Sequence, residues 1–237
     1  MEGADDPWAF DATTGYWQDV AEPGTRLPTA PPYRRSYPAR LPDGRHLVLP
    51  LRAVPGKPDA CVASQIANQA SFAVIDVLAG HMVEAARRFV VDVVVGLQTL
   101  GLALAPVVAQ GLGFKRFVPF GYSRKYWYLD TLSEPVRSLT TPGGGKLLYC
   151  DPNQAPLLRG RRVLLVDDAV STGQTMVSAL ALLERCGAEV AAVVVAMKQG
   201  AAWRERLGES AGRVIDVLAV FESPRMRKVA GGWAPVA

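Results

Sequence analysis

The sequence predicts an α/β fold in which a mainly parallel sheet is flanked by helices. The first observation is that strand-like and helix-like segments alternate along the chain from Val90 onward. The second is that Val91–Val95 and Val190–Ala196 are rich in β-branched residues, as expected of strands buried on both faces. Such alternation places helices on both faces of a parallel sheet. Ligands then bind beyond the carboxyl ends of the strands.

The first 60 residues are organised differently, because they hold ten of the eighteen prolines. Residues 1–32 are expected to form an extended arm or to be partly disordered. The turn signal Leu41-Pro42-Asp43-Gly44 lies between two strand-like segments and predicts a β-hairpin over Tyr37–Leu51. Ala60–Phe89 is expected to be one long helix, since apolar residues recur there in steps of three and four.

The remaining elements follow in order after Phe89. Further strands are expected at Phe117–Phe120, Lys146–Cys150, Arg162–Val166 and Val214–Phe221, with helices at Gly101–Leu112, Gly173–Cys186 and Ala201–Leu207. The segment Gly121–Gly145 has little regular pattern and is expected to be a long flexible loop.

Charge and composition limit the classes of function. The chain has 237 residues and a formal net charge of +4, and its basic residues are scattered. This suits a small phosphorylated substrate and provides no basic stripe for nucleic acid. Three cysteines are too few for a disulfide framework, and no pair has metal-ligand spacing. The apolar stretch Phe89–Ala109 contains polar residues and a proline, so we expect no membrane span. Residues 1–6 are acidic and are not followed by a signal-peptide pattern, so we expect no signal peptide and place the protein in the cytoplasm.

One motif carries most of the functional information. After the strand-like Val163–Val166 come two acidic residues, Asp167 and Asp168, and then a short loop of small residues that opens a helix. A helix start attracts a phosphate group through unpaired backbone N–H groups and its dipole. The two carboxylates can accept hydrogen bonds from the vicinal hydroxyls of a ribose. The motif is therefore suited to both ends of a ribose 5-phosphate.

This motif resembles the signature of the type I phosphoribosyltransferases, in particular the purine enzymes that act on adenine or on xanthine and guanine. The resemblance extends over most of Val90–Phe221 and implies the type I phosphoribosyltransferase fold. It assigns catalysis to Asp167 and Asp168. It assigns phosphoribosyl binding to Ala169, Val170, Ser171, Thr172, Gly173, Gln174 and Thr175.

The resemblance also implies two contributors to pyrophosphate binding. The loop after the first core strand contains Gln98 and Thr99, but Leu100 stands where adenine-type relatives carry arginine. The long flexible loop contains Arg124 and Lys125, which match a basic pair that contacts pyrophosphate in purine-type relatives. Surface charges are the alternative interpretation of this pair.

For the base, the resemblance points to Lys198 and Phe221. Oxopurine-type relatives place a lysine after the fourth strand, where it binds an exocyclic oxygen, and a base-stacking aromatic near the end of the last strand. A surface lysine and a core phenylalanine are the alternatives. Ser171 stands where hypoxanthine–guanine enzymes carry an aspartate, so the sequence lies between the subclasses and does not identify the base.

The implied activity is transfer of ribose 5-phosphate from phosphoribosyl pyrophosphate to a nitrogenous base, with Mg²⁺ held mainly by the donor. A homodimer is expected, with no nucleic acid or membrane as partner. Residues 1–59 are expected to form a hood over the base, beside a core domain of residues 60–237. Two alternatives stay open: a regulator of the same fold that senses the donor or a nucleotide, and a nucleotide hydrolase with Asp167 and Asp168 as metal ligands.

Overall fold

The computed structural model describes residues 19–136, 146–210 and 214–236, which contain thirteen strands and four α-helices. The strands are β1 (Val20–Ala21), β2 (Ser36–Arg40), β3 (His46–Val54), β4 (Lys57–Ala63), β5 (Val93–Leu97), β6 (Val118–Phe120), β7 (Ser133–Val136), β8 (Lys146–Tyr149), β9 (Arg162–Val170), β10 (Glu189–Gln199), β11 (Val217–Ser223), β12 (Arg225–Val229) and β13 (Gly232–Pro235). The helices are α1 (Phe72–Ala86), α2 (Ala105–Gly111), α3 (Gln174–Arg185) and α4 (Ala202–Ser210).

A five-stranded sheet in the order β11-β10-β9-β5-β6 forms the centre of the molecule. All of its strand pairs are parallel. Successive residues of β9 face opposite sides of the sheet. Leu164 and Val166 lie in a core shared with α1 and α2, whereas Val163 and Leu165 lie in a core shared with α3. The predicted α/β fold with helices on both faces is confirmed.

A second sheet of six antiparallel strands lies beside the first. Its order is β1-β3-β4-β12-β13, and β2 pairs with residues 46–50 of β3, ahead of the part that pairs with β4. The predicted hairpin is confirmed, because β2 and β3 pair across a turn in which Asp43 accepts a hydrogen bond from the N–H of Arg45. The expected boundary at residue 59 falls inside β4, so strands from both predicted parts of the chain build this sheet.

The single long helix predicted over Ala60–Phe89 is wrong in its first half. That part forms β4 and a short 3₁₀ helix, Ala67–Gln69, and α1 begins only at Phe72. The side chain of Ser71 caps α1 by accepting a hydrogen bond from the N–H of Val74. β4 pairs with β12, more than 160 residues further along the chain. The spacing of apolar residues within Ala60–Phe89 cannot reveal a partner so far away.

Two further expectations need adjustment. The strand predicted at Arg162–Val166 continues to Val170, because β10 pairs with it as far as Lys198. Part of the predicted long loop Gly121–Gly145 is regular, since β7 and β8 form an antiparallel pair. Residues 137–145 of that loop, and residues 1–18 of the predicted arm, lie outside the described residues. No helix in the described ranges is long and apolar enough to cross a membrane.

Candidate active site

Two adjacent carboxylates lie near the carboxyl end of β9, in the middle of the parallel sheet. Asp167 is 7% exposed and Asp168 is half-buried. The backbone N–H of Asp168 donates to Oδ1 of Asp167 over 2.9 Å. Burial raises the pKa of both carboxyls, and the charge of Asp168 raises the pKa of Asp167 further. The pair retains a proton more readily than exposed aspartates and can exchange hydrogen bonds with sugar hydroxyls.

A pocket of about 160 Å³ opens beside Asp167. Its other lining residues form one continuous run, Ala169–Met176. The run turns at Gly173, which has a φ of 79°, and α3 begins at the next residue. A Cβ on Gly173 would be strained at this φ and would lie 3.3 Å from the Cα of Trp203. The pocket therefore combines a tight turn with a helix start, the arrangement that attracts phosphate.

All of the predicted phosphoribosyl-binding residues line this pocket. They are Ala169, Val170, Ser171, Thr172, Gly173, Gln174 and Thr175. The backbone oxygen of Thr172 also accepts a hydrogen bond from Arg206 of α4 over 3.2 Å. The loop is thus held by α4 through Arg206.

The loop after β5 packs against the buried carboxylate. A Cβ built on Gly101 would lie 2.6 Å from Oδ1 of Asp167, so the backbone of this loop approaches the carboxylate as closely as only glycine permits. The peptide bond between Gln98 and Thr99, the two predicted pyrophosphate ligands, is cis. Oε1 of Gln98 accepts a hydrogen bond from the backbone N–H of Tyr122. The loop is therefore tied to both β9 and the segment after β6.

Tyr122 is a site residue that sequence reasoning missed. The side chain of Thr175, in the phosphate loop Ser171–Thr175, interacts with the Tyr122 hydroxyl and lowers its pKa. Burial raises the pKa of Tyr122, and the nearby charges of Asp167 and Asp168 contribute to the increase. The ammonium group of Lys146 lies 5.5 Å from the ring centre. The signal that could have found Tyr122 is its place just after β6, at the edge of the sheet where ligands bind.

Arg124 and Lys125, the predicted basic pair, are exposed. A guanidinium nitrogen of Arg124 lies 2.8 Å from Oδ1 of Asp130, within the same loop. Next to them, Tyr126 is 97% exposed, and its ring contacts Trp127 edge to face with centroids 4.8 Å apart. In this structure Arg124 is thus engaged by its own loop rather than by the pocket residues.

A larger cavity of about 440 Å³ lies beyond the carboxyl ends of β10 and β11. Lys198, predicted to bind the base, lines it with a side chain that is 17% exposed. Its Nζ lies 4.0 Å from Oε1 of Glu222 and 5.2 Å from the centre of the Trp203 ring. Because Lys198 is paired with Val170, the cavity begins one strand away from the phosphate loop.

Phe221, the second predicted base-binding residue, is placed elsewhere. It is 5% exposed and packs in the core shared with α1, and it is not among the residues that line the cavity. The reason is that β11 continues past it, so that Ser223 and the turn to β12 form the cavity wall instead. Phe221 is thus a core residue in this structure, as the alternative interpretation had it.

Comparisons with known proteins agree with this geometry. The model of the phosphoribosyl transferase domain matches residues 62–213. The chain is 34% identical over 154 residues to an adenine phosphoribosyltransferase of Corynebacterium efficiens, covering 63% of this chain and 74% of the relative. It is 39% identical over 120 residues to one of Nocardioides sp., covering 50% and 61%. A hypoxanthine/guanine phosphoribosyltransferase of Methanothermococcus okinawensis is 29% identical over 128 residues, covering 54% and 64%. For these last two, the match covers less than two thirds of the relative's length.

Solved structures show the same fold. The adenine phosphoribosyltransferase of Thermoanaerobacter pseudethanolicus superposes with a TM-score of 0.57 at 17% identity, covering 73% of this chain and 95% of that one. The corresponding enzyme of Rhodothermus marinus gives a TM-score of 0.54 at 21% identity, with coverage of 73% and 93%. At these identities the likeness concerns the fold alone.

Proposed function

Because the chain belongs to the phosphoribosyl transferase family, we propose that it transfers ribose 5-phosphate from phosphoribosyl pyrophosphate to a nitrogenous base and releases pyrophosphate. The observation that carries this proposal is the pair of the buried Asp167 and the half-buried Asp168 beside the pocket at the start of α3. The relatives are named for adenine, hypoxanthine and guanine, which favours a purine as the base.

In this proposal the protein positions the donor and performs no covalent chemistry of its own. The 5-phosphate occupies the pocket lined by Ser171–Thr175, where the start of α3 and the loop hydroxyls donate to it. Asp167 and Asp168 bind the ribose hydroxyls. A ring nitrogen of the base forms a bond to the anomeric carbon while the bond from that carbon to the pyrophosphate oxygen breaks. The bonding electrons leave with pyrophosphate, and the nitrogen loses its proton to water.

The carboxylate pair also lies where positive charge develops on the sugar as the leaving group departs. Negative groups that are already oriented stabilise such charge without reorganisation. Gln98 and Thr99, in the loop that packs on Asp167, are proposed to hold the leaving group. Arg124 and Lys125 would join them only if the contact of Arg124 with Asp130 opened.

Mg²⁺ is proposed as the cofactor, bound mainly through the donor. The described residues hold no group of three or more His, Cys, Asp or Glu side chains that could bind a metal ion. Asp167 and Asp168 would help the donor to hold the ion, because Mg²⁺ prefers oxygen ligands such as carboxylates and phosphates. When bound, the ion neutralises charge on the leaving group, while Asp167 and Asp168 orient the sugar.

The hairpin of β2 and β3 is proposed as part of a hood over the base, since Tyr37 of β2 lines the larger cavity together with Lys198. A homodimer in the cytoplasm is also proposed. The dimer is supported by the exposed apolar side chains of Tyr126, Trp127 and Leu129, because such side chains are found in subunit interfaces. The cytoplasm is supported by the three buried cysteines, which are all free thiols, because disulfides are rare in that compartment.

The test is pyrophosphate release from phosphoribosyl pyrophosphate and Mg²⁺ with a panel of bases, combined with calorimetry of donor binding. We expect release with at least one base. Asp168→Asn should reduce kcat/KM at least a hundredfold, because charge stabilisation at the sugar is lost. Asp76→Asn, on the exposed face of α1, is the matched control and should change nothing.

Two results would contradict the proposal. Tight donor binding with no release from any base would favour a protein that senses the donor, the alternative considered from the sequence. No donor binding at all would remove the donor from the pocket.

A further inference from the structure

The larger cavity beside the phosphate loop is rich in positive charge. Besides Lys198, it is lined by Arg204 of α4 and Arg225 of β12, whereas Glu222 is the one carboxylate among its lining residues. Glu222 is 4.0 Å from Lys198 and is 68% exposed. It therefore offsets at most one of the three cations.

The two arginines have no carboxylate partner within the described part of the chain. Neither Arg204 nor Arg225 forms an ion pair with a described residue. The guanidinium of the exposed Arg204 lies 5.3 Å from the Trp203 ring centre, a contact that does not neutralise its charge. Guanidinium groups bind carboxylates through two parallel hydrogen bonds, the arrangement that both arginines leave open.

A buried hydroxyl on the cavity wall also bears on the kind of ligand that the cavity suits. Ser223 is 1% exposed and lines the cavity, and its Oγ has no hydrogen-bond partner among the described residues. A buried hydroxyl without a partner is costly, and this cost is relieved only by an acceptor that reaches Oγ inside the cavity wall. Hydroxyl, ammonium and guanidinium groups are all donors, and the ligand they suit is an acceptor of hydrogen bonds that carries negative charge.

Neutral adenine does not match this lining, because it has no anionic group and presents exocyclic N–H donors. The cavity volume of about 440 Å³ also leaves room for a base with a substituent, since ligand pockets span about 300–1,000 Å³. We propose that the acceptor is a nitrogen heterocycle bearing a carboxylate, held by Arg204, Arg225 and Lys198. This rests on the proposed function, and the step itself is the displacement already described, with the carboxylate unchanged.

The first measurement is binding of matched pairs that differ in charge: purine-6-carboxylate against adenine, and uracil-6-carboxylate against uracil. Saturating ribose 5-phosphate and magnesium pyrophosphate are present, so that anions are kept out of the phosphate pocket and no turnover occurs. We expect each carboxylate to bind at least tenfold more tightly than its neutral partner. Equal or weaker binding of both carboxylates would overturn the inference.

Variants then locate the binding. Arg225→Gln and Arg204→Gln should each weaken binding of the carboxylate base about tenfold and leave the neutral base unchanged, because a charge-assisted hydrogen bond is lost. Glu222→Gln should strengthen it. Arg227→Gln, which removes an exposed charge on the same strand outside the cavity lining, is the control and should have no effect. Carboxylate binding that none of the three cavity variants changes would place the ligand elsewhere and overturn the inference.

Failure of the inference and failure of the proposed function give different results. If pyrophosphate release with adenine exceeds release with every carboxylate base, the proposed transfer activity is supported and the carboxylate-bearing acceptor is contradicted. If the carboxylate bases bind as expected but no pyrophosphate is released with any base, binding of carboxylates in the cavity is supported and the proposed transfer activity is contradicted.

Discussion

At the scale of single residues, the site depends on a carboxylate that is unfavourable for folding. Asp167 is buried beside Asp168, and both burial and the neighbouring charge raise its pKa above the ordinary value of 3.8. Strained or charged groups of this kind persist where function needs them. The free energy that Asp167 costs the folded state should therefore be recoverable by mutation.

Asp167→Asn should stabilise the protein at neutral pH while it reduces activity. The pKa of Asp167 is higher in the folded than in the unfolded chain, so stability falls as pH rises from about 4 through the raised pKa. Asparagine has no charge to bury and removes this dependence. At pH 7 we expect Tm to rise by about 2–4 °C, the shift for 1 kcal/mol in a chain of this size. Thermal unfolding from pH 4 to 8 checks this, and parallel curves for variant and parent would refute it.

Tyr122 tests whether its hydroxyl, which interacts with the side chain of Thr175, supports the phosphate loop. Tyr122→Phe removes this hydroxyl and keeps the ring near Lys146. Loss of a polar contact of this type costs about 1 kcal/mol, so the Kd for the donor should rise roughly fivefold. Calorimetry measures the change. Tyr126→Phe, at a ring that is 97% exposed, is the control, and an equal effect of both variants would count against the role.

At the scale of elements, the active site depends on how closely the loop after β5 approaches β9. Gly101 sits in the 3₁₀ turn Gly101–Ala103, and the space for its Cβ is occupied by the side chain and Cα of Asp167, at 2.6 and 2.8 Å. A Cβ at position 101 would therefore occupy the same space as the carboxylate of Asp167.

Gly101→Ala should displace the loop or Asp167 and reduce kcat/KM at least tenfold, with a loss of about 1–3 kcal/mol in stability from the added atom. Gly80→Ala in α1, where a Cβ meets nothing within 4 Å, is the matched control. It should be neutral or stabilise slightly, because alanine favours helix. Activity and denaturant unfolding of both variants decide the matter, and a fully active Gly101→Ala would show that the loop yields without affecting the carboxylates.

At the scale of the whole molecule, α1 joins the two sheets into one core. A single cluster of buried residues contains Leu49 of the six-stranded sheet, Leu78 of α1 and Leu164 of the parallel sheet, all fully buried. Apolar burial of this extent is the main stabilising contribution in a domain. The two sheets should therefore unfold together.

Leu78→Ala tests this coupling, since the side chain lies at the centre of the shared core. We expect a loss of about 2–5 kcal/mol in one cooperative transition, seen at the same denaturant concentration by circular dichroism and by tryptophan fluorescence. Phe72→Ala, at an 87% exposed position of the same helix, should change stability by less than about 0.5 kcal/mol. Separate transitions of the two probes would mean that the sheets are independent units.

The sequence by itself determined the parallel sheet, the hairpin of β2 and β3, and the residues Asp167 and Ala169–Thr175 that line one pocket. These features depend on short stretches of sequence. The strand β9, the phosphate loop and α3, for example, follow one another directly along the chain. Only the tertiary structure decided that β4 pairs with β12, that Tyr122 reaches Thr175, and that Arg204 and Arg225 meet Lys198 at one cavity. Contacts between distant segments depend on the packing of whole elements, and no periodicity or spacing in the chain records them.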